Sequence, residues 1–102
     1  MKQHITVEQL NEAHPMDTLN LAVMLEISCR DYQNDDELDK MISERIAIGK
    51  MIEILGRDFK FISYHDEPDE WVVNRMTHNS RSYRADNLCD ALWEAVKEVL
   101  KG

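Results

Sequence analysis

DFKFISYHDEPDEWVVNRM, residues 58–76, is the stretch on which the fold turns. Up to Leu55 the apolar residues recur every three or four positions, and from Phe59 they alternate, a change from a helical to a strand period. Phe59, Phe61, Ser63 and His65 should share one side of a strand, with Lys60, Ile62 and Tyr64 on the other. DEPDE is turn-forming, and WVVNRM reads as the returning strand, its sides Trp71, Val73 and Arg75 against Val72, Asn74 and Met76. Alternation does not set the register, so either side is open to the core. A lone hairpin is unstable in water, so helices must cover it.

Downstream, NLCDALWEAVKEVL supplies one such helix, over 86–100 with Asp86 as the expected cap. Its stripe is Leu88, Leu92, Ala95, Val96 and Val99, flanked by Cys89, Trp93 and Leu100. The connection from Thr77 to Ala85 is long for a loop in a small domain, which favours a short third strand around Arg81 to Arg84. Upstream, one long helix is expected over 35–55. Asn34 and Glu37 stand at the cap and third positions, Leu38, Met41, Ile42, Arg45, Ile48, Gly49, Ile52 and Leu55 trace a stripe, and Gly56 stops it. Asp36 and Lys40 are placed to pair on its outer face.

Before it, a helix should open at Pro15 or Asp17 and continue through LNLAVMLEISCRDY, with Leu19, Val23 and Ile27 widening its apolar face. The first helix, Val7 to Ala13, has a capping box in Thr6 and Gln9 and a staple in Ile5 and Leu10; His14-Pro15 ends it. The fold class that follows is α+β: N-terminal helices, an antiparallel hairpin with a third short strand, and a C-terminal helix packed on the sheet. With 102 residues, 43% of them apolar, residues 1–102 suffice for one domain and one modest core.

Net charge is −8, unevenly spread: residues 1–56 hold 11 acids and five bases, residues 57–102 nine acids and seven bases. Such a chain is repelled by nucleic acid and anionic membrane and suits a basic protein surface. Cys29 and Cys89 form no CxxC and fall among apolar residues, so both are expected as buried free thiols in a reducing compartment. MKQHITVEQL lacks the apolar run of a signal peptide, and no stretch approaches the roughly 20 apolar residues of a membrane span. The expected compartment is the cytoplasm.

Several constellations bear on chemistry. His65, Asp66, Glu67, Asp69 and Glu70 gather at the hairpin tip, but a proline, no glycine and no EF-hand spacing make this a solvated turn. His4, His14, His65 and His78 form no zinc pattern, so no metal is expected. A nucleophilic cysteine needs a base and a lowered pKa, whereas Cys89 has Asp86 and Asp90 as local charges. Without GxSxG or a glycine-rich phosphate cradle, the reading is of a protein that is not an enzyme and takes no cofactor.

Two segments remain as binding candidates. NRMTHNSRSYR, residues 74–84, has no carboxylate; Arg75, His78, Arg81, Tyr83 and Arg84 make it an alternative site for phosphate or nucleic acid. Three arginines in so acidic a chain are a narrow footprint for nucleic acid, and a set of internal ion pairs is the simpler account. Between residues 26 and 44 lie seven acids and two bases: Glu26, Asp31, Asp35, Asp36, Glu37, Asp39 and Glu44 against Arg30 and Lys40, net −5. Carboxylates projecting from helices imitate DNA phosphates and occupy basic grooves; they also cap helices and face water in most acidic domains.

The order of hairpin, basic connection and a helix of the L-C-x-A-L type, residues 59–100, resembles small bacteriophage-type domains in which a short antiparallel sheet lies between helices. The resemblance implies a phage or mobile-element accessory protein that blocks a host protein. It transfers no functional residue. The expectation from all of this is a non-enzymatic inhibitor or adaptor, a nucleic-acid mimic whose acidic face binds a basic, nucleic-acid-binding protein. Alternatives are anion binding through the arginines and a homodimer that covers surplus apolar surface, including Trp71 or Trp93.

Overall fold

The computed structural model describes residues 2–56, 59–66, 69–75 and 81–101, with residues 60 and 61 described by their backbone alone. Three antiparallel strands form a sheet in chain order: β1 (Phe59–His65), β2 (Glu70–Arg75) and β3 (Ser82–Ala85). Five helices accompany them: α1 (Val7–Leu10), α2 (Pro15–Met24), α3 (Asp35–Arg45), α4 (Ile48–Leu55) and α5 (Leu88–Leu100). The fold is therefore α+β, and the third strand is present.

Ile62 opposes Val73 and Tyr64 opposes Trp71, while Tyr83 and Ala85 of β3 oppose Val73 and Trp71. One face thus gathers Ile62, Trp71, Val73, Tyr83 and Ala85, and this is the face that packs on the core. Phe59 joins it, because the register shifts between Phe59 and Phe61. The extra residue of this bulge moves Phe59 off the side that strict alternation assigns it. On the other face Val72, opposite Ser63 and Arg84, is buried outside the main cluster.

Helix α5 lies on β2 and β3 and supplies the centre of the core: Cys89, Ala91, Leu92, Trp93, Ala95 and Val96 are all fully buried. Trp93, expected as a candidate for residual exposure, is sealed, and its indole Nε1–H donates to Glu12 Oε1 at 3.3 Å. The cap is Asn87, whose side chain accepts from the Asp90 amide, rather than Asp86 one residue earlier. α4 packs beside α5, and α3 packs on α1.

The single helix expected over 35–55 is two. Ile46 turns out of helical geometry (φ −84°, ψ 73°), and its carbonyl accepts from the Ile5 amide at 3.2 Å. The Ile48 amide donates to the Gln3 carbonyl at 3.1 Å, and His4 bridges Ala47. The N-terminal segment therefore supplies partners for backbone groups that a continuous helix would have bonded internally. The break rotates the second half, so that Ile46, Met51 and Leu55 are buried and Gly49 faces out.

α2 also differs from expectation, ending at Met24 rather than near Tyr32. Glu26 adopts φ +58°, its amide donates to the Val23 carbonyl, and the Ile27 amide reaches back to Ala22. This is a Schellman stop in which glutamate occupies the position usually given to glycine. Cys29 follows in the irregular segment and is exposed, so only Cys89 is the buried thiol that was expected. At the other end of α2, His14 is the N-cap, its Nδ1 accepting from the Met16 amide at 3.1 Å. The capping box of Thr6 and Gln9 is formed, and Ile5 and Leu10 beside it are buried. Among the described residues no helix is long and apolar enough to cross a membrane.

Candidate functional site

The acid-rich segment begins at the stop of α2 and runs along α3. Asn34 caps α3 by accepting from the Glu37 amide at 2.9 Å, and Glu37 in turn accepts from the Gln33 amide at 2.8 Å. Asp35, Asp36 and Glu37 fill the first turn, where the partial positive charge of the helix end favours carboxylates. Leu38 and Ile42 point into the core, which fixes how the acids are distributed. Asp36, Glu37 and Glu44 fall on the outer side, with Lys40 among them. Asp35 and Asp39 fall on the flank that faces α2.

The structure does not gather all seven carboxylates into one patch. Asp35, Asp36 and Asp39 are close enough to interact: partial burial, then the charges of Asp35 and Asp36, push the Asp39 carboxyl above its ordinary value. Asp31 folds back to accept from the Ser28 amide at 2.8 Å. Glu26 sits apart, in a hollow shared with Arg45, Lys50 and Glu53. Sequence spacing alone makes these acids one group; the Schellman stop turns Glu26 away from the rest.

Ion pairs of the described carboxylates all lie outside this segment, where six of eleven are paired. Lys2 pairs with Asp90, Lys50 with Glu53, Arg81 with Glu98 and Arg84 with Glu70, and Lys97 with both Glu12 and Glu94. Among the described residues, none of Glu26, Asp31, Asp35, Asp36, Glu37, Asp39 and Glu44 forms an ion pair, and the Asp36–Lys40 pair is not made.

The arginine segment is arranged differently. Arg75 is buried on the core-facing side of the sheet, and its Nη1 donates to the Tyr83 hydroxyl at 3.1 Å. Arg84 projects from the opposite face and holds Glu70 across the strands at 2.7 Å. Arg81 reaches Glu98 of α5 at 3.7 Å. His78 lies outside the described residues. Arg75, Arg81 and Arg84 are thus each tied into the scaffold, Arg84 on the opposite face of the sheet from Arg75.

Neither a family model, nor a curated protein, nor a solved structure matches this chain. The chemistry of the site rests on its own residues. Among the described residues no group of three His, Cys, Asp or Glu is disposed to hold a metal. Sequence reading also missed the cleft beside Asp35 and Asp39, about 380 Å³ in volume, whose walls include Ala13, Pro15, Leu19 and Leu38. Its sequence signal was the surplus apolar width of α2, legible only as a face in need of some neighbour.

Proposed function

We propose that this protein is a non-enzymatic interaction domain that captures a basic protein through the carboxylates of α3, foremost Asp35, Asp36 and Asp39. One observation carries the reading: none of the seven carboxylates of residues 26–44 is paired with lysine or arginine, whereas six of the eleven described carboxylates elsewhere in the chain are. A helix turn with net −5 over residues 26–44 produces a field that speeds encounter with a positive groove. The likeness of residues 59–100 to small bacteriophage-type domains suits an accessory protein that blocks a nucleic-acid-binding host factor.

The test is affinity capture at low and high salt with the native chain and with D35K/D36K/D39K. Recovery of a basic protein at low salt, reduced at high salt and lost in the reversed variant, is the expected result. Equal recovery by the variant would overturn the proposal. The anion-binding reading has no comparable support, because Arg75, Arg81 and Arg84 are each engaged by groups of the chain itself and Arg84 lies on the opposite face of the sheet from Arg75. It would show as a nucleic-acid mobility shift retained by D35K/D36K/D39K and lost in R81A/R84A.

A further inference from the structure

A face that the fold leaves uncovered lies next to those carboxylates. Of the ten residues of α2 only Leu21 and Ala22 are buried. Met16, Leu19 and Val23, spaced by three and four, share the outward side and are 59%, 50% and 76% exposed. A helix this short does not hold itself in water. Leu19 belongs both to this stripe and to the cleft against α3, so the apolar surface continues from the crest of α2 down to Ala13, Pro15 and Leu38. Asp35 and Asp39 stand along the far wall of that cleft.

Resting on the capture of a basic partner argued above, we propose that this groove docks one amphipathic helix of that partner, carrying lysine or arginine beside large apolar side chains. Length fits: Met16 to Val23 spans about 10 Å of helix rise, matching roughly two turns of an occupant with anchors at i, i+3 or i+4, and i+7. Charge selects the occupant. Asp35 and Asp39 have no cation, and partial burial together with the neighbouring charges of Asp35 and Asp36 already disfavours the ionised form of Asp39, so an incoming ammonium or guanidinium offsets a cost that neutral or acidic helices would leave. A second copy of this chain would bring another −8 and its own carboxylates to the same rim.

The full-length chain is titrated calorimetrically with a leucine–lysine peptide, about 14 residues long, whose leucines share one helical face. A scramble of equal composition that spreads the leucines around the helix is the control. L19S/V23S and D35N/D39N change exposed or half-exposed positions, and circular dichroism checks that each variant folds. The expected result is binding weakened by salt, with each variant and the scramble weaker by about tenfold or more. If the scramble or L19S/V23S binds as the native pair does, the groove is overturned while charge-led capture stands. If D35N/D39N binds unchanged, the basic character of the occupant is wrong, and the capture proposal falls with it. A dimer mass in light scattering that L19S/V23S abolishes assigns the face to a second copy and overturns the inference.

Discussion

Replacing Leu92 with alanine tests whether α5 is the element that closes the core. The side chain is 0% exposed, on a helix that lies against both the sheet and α4. Truncation removes three carbon groups, which at about 0.8 kcal/mol each forfeits about 2.4 kcal/mol of transfer free energy. A cavity remains as well, since Val73 on β2 and Trp93 on the same helix are fully buried and have little room to collapse. The cavity should bring the total to about 3–4 kcal/mol. For a domain of this size that lowers the melting midpoint by roughly 12–30 °C. Urea denaturation gives the number directly: the midpoint should fall with the slope unchanged. Val23→Ala is the internal control, because at 76% exposure it should cost no more than about 0.5 kcal/mol. If Leu92→Ala costs as little as Val23→Ala, α5 does not bury the stripe assigned to it and the account of the core is wrong.

Two further predictions concern ionisation and access. Burial alone would raise the Asp90 carboxyl, but hydrogen bonds from Lys2, Gln9 and Asn87 outweigh it and hold the group below its ordinary value. Its stabilising contribution is therefore present above the unfolded pKa of about 3.9 and is lost as pH falls through the lower folded value. Urea midpoints measured from neutral to strongly acidic pH should fall less steeply for Asp90→Asn than for the native chain; parallel profiles would refute the linkage. Of the two thiols, Cys29 is exposed, while burial pushes the Cys89 thiol up, only partly opposed by Lys2. An aromatic disulfide reagent should label one cysteine in the folded protein and the second only on unfolding. Cys29→Ser should remove the fast phase, and a fast phase that survives it would place Cys89 at the surface.

Local chemistry was legible where local chemistry decides. Thr6 with Gln9, Asn34 before its acids and the alternation from Phe59 each specify an element through neighbours a few residues away, and each element formed. The departures have distant or backbone causes. Nothing between Arg45 and Ile48 breaks a helix; the break is made by Gln3 and Ile5, more than 40 positions earlier. The end of α2 was hidden because glutamate holds the left-handed position, where glycine or asparagine is the usual sign. A bulge at Phe59 is equally silent in an alternating run. For the candidate site, the sequence located every carboxylate but not their separation. Glu26 and Asp39 are 13 positions apart, and only the turn after Met24 shows that they face different hollows.

The clasp around Lys2 has a consequence for how the chain is made. Its ammonium reaches Asp90 across 88 positions, and the same segment holds the junction of α3 and α4 open. A ribosome adding about 5–20 residues per second needs roughly 4–18 s to travel that distance. Throughout that interval Ile5 and Leu10 have no α5 to settle against, and α4, once made, lacks the helix it packs beside. Closure of this domain is consequently expected only after α5 has left the exit tunnel.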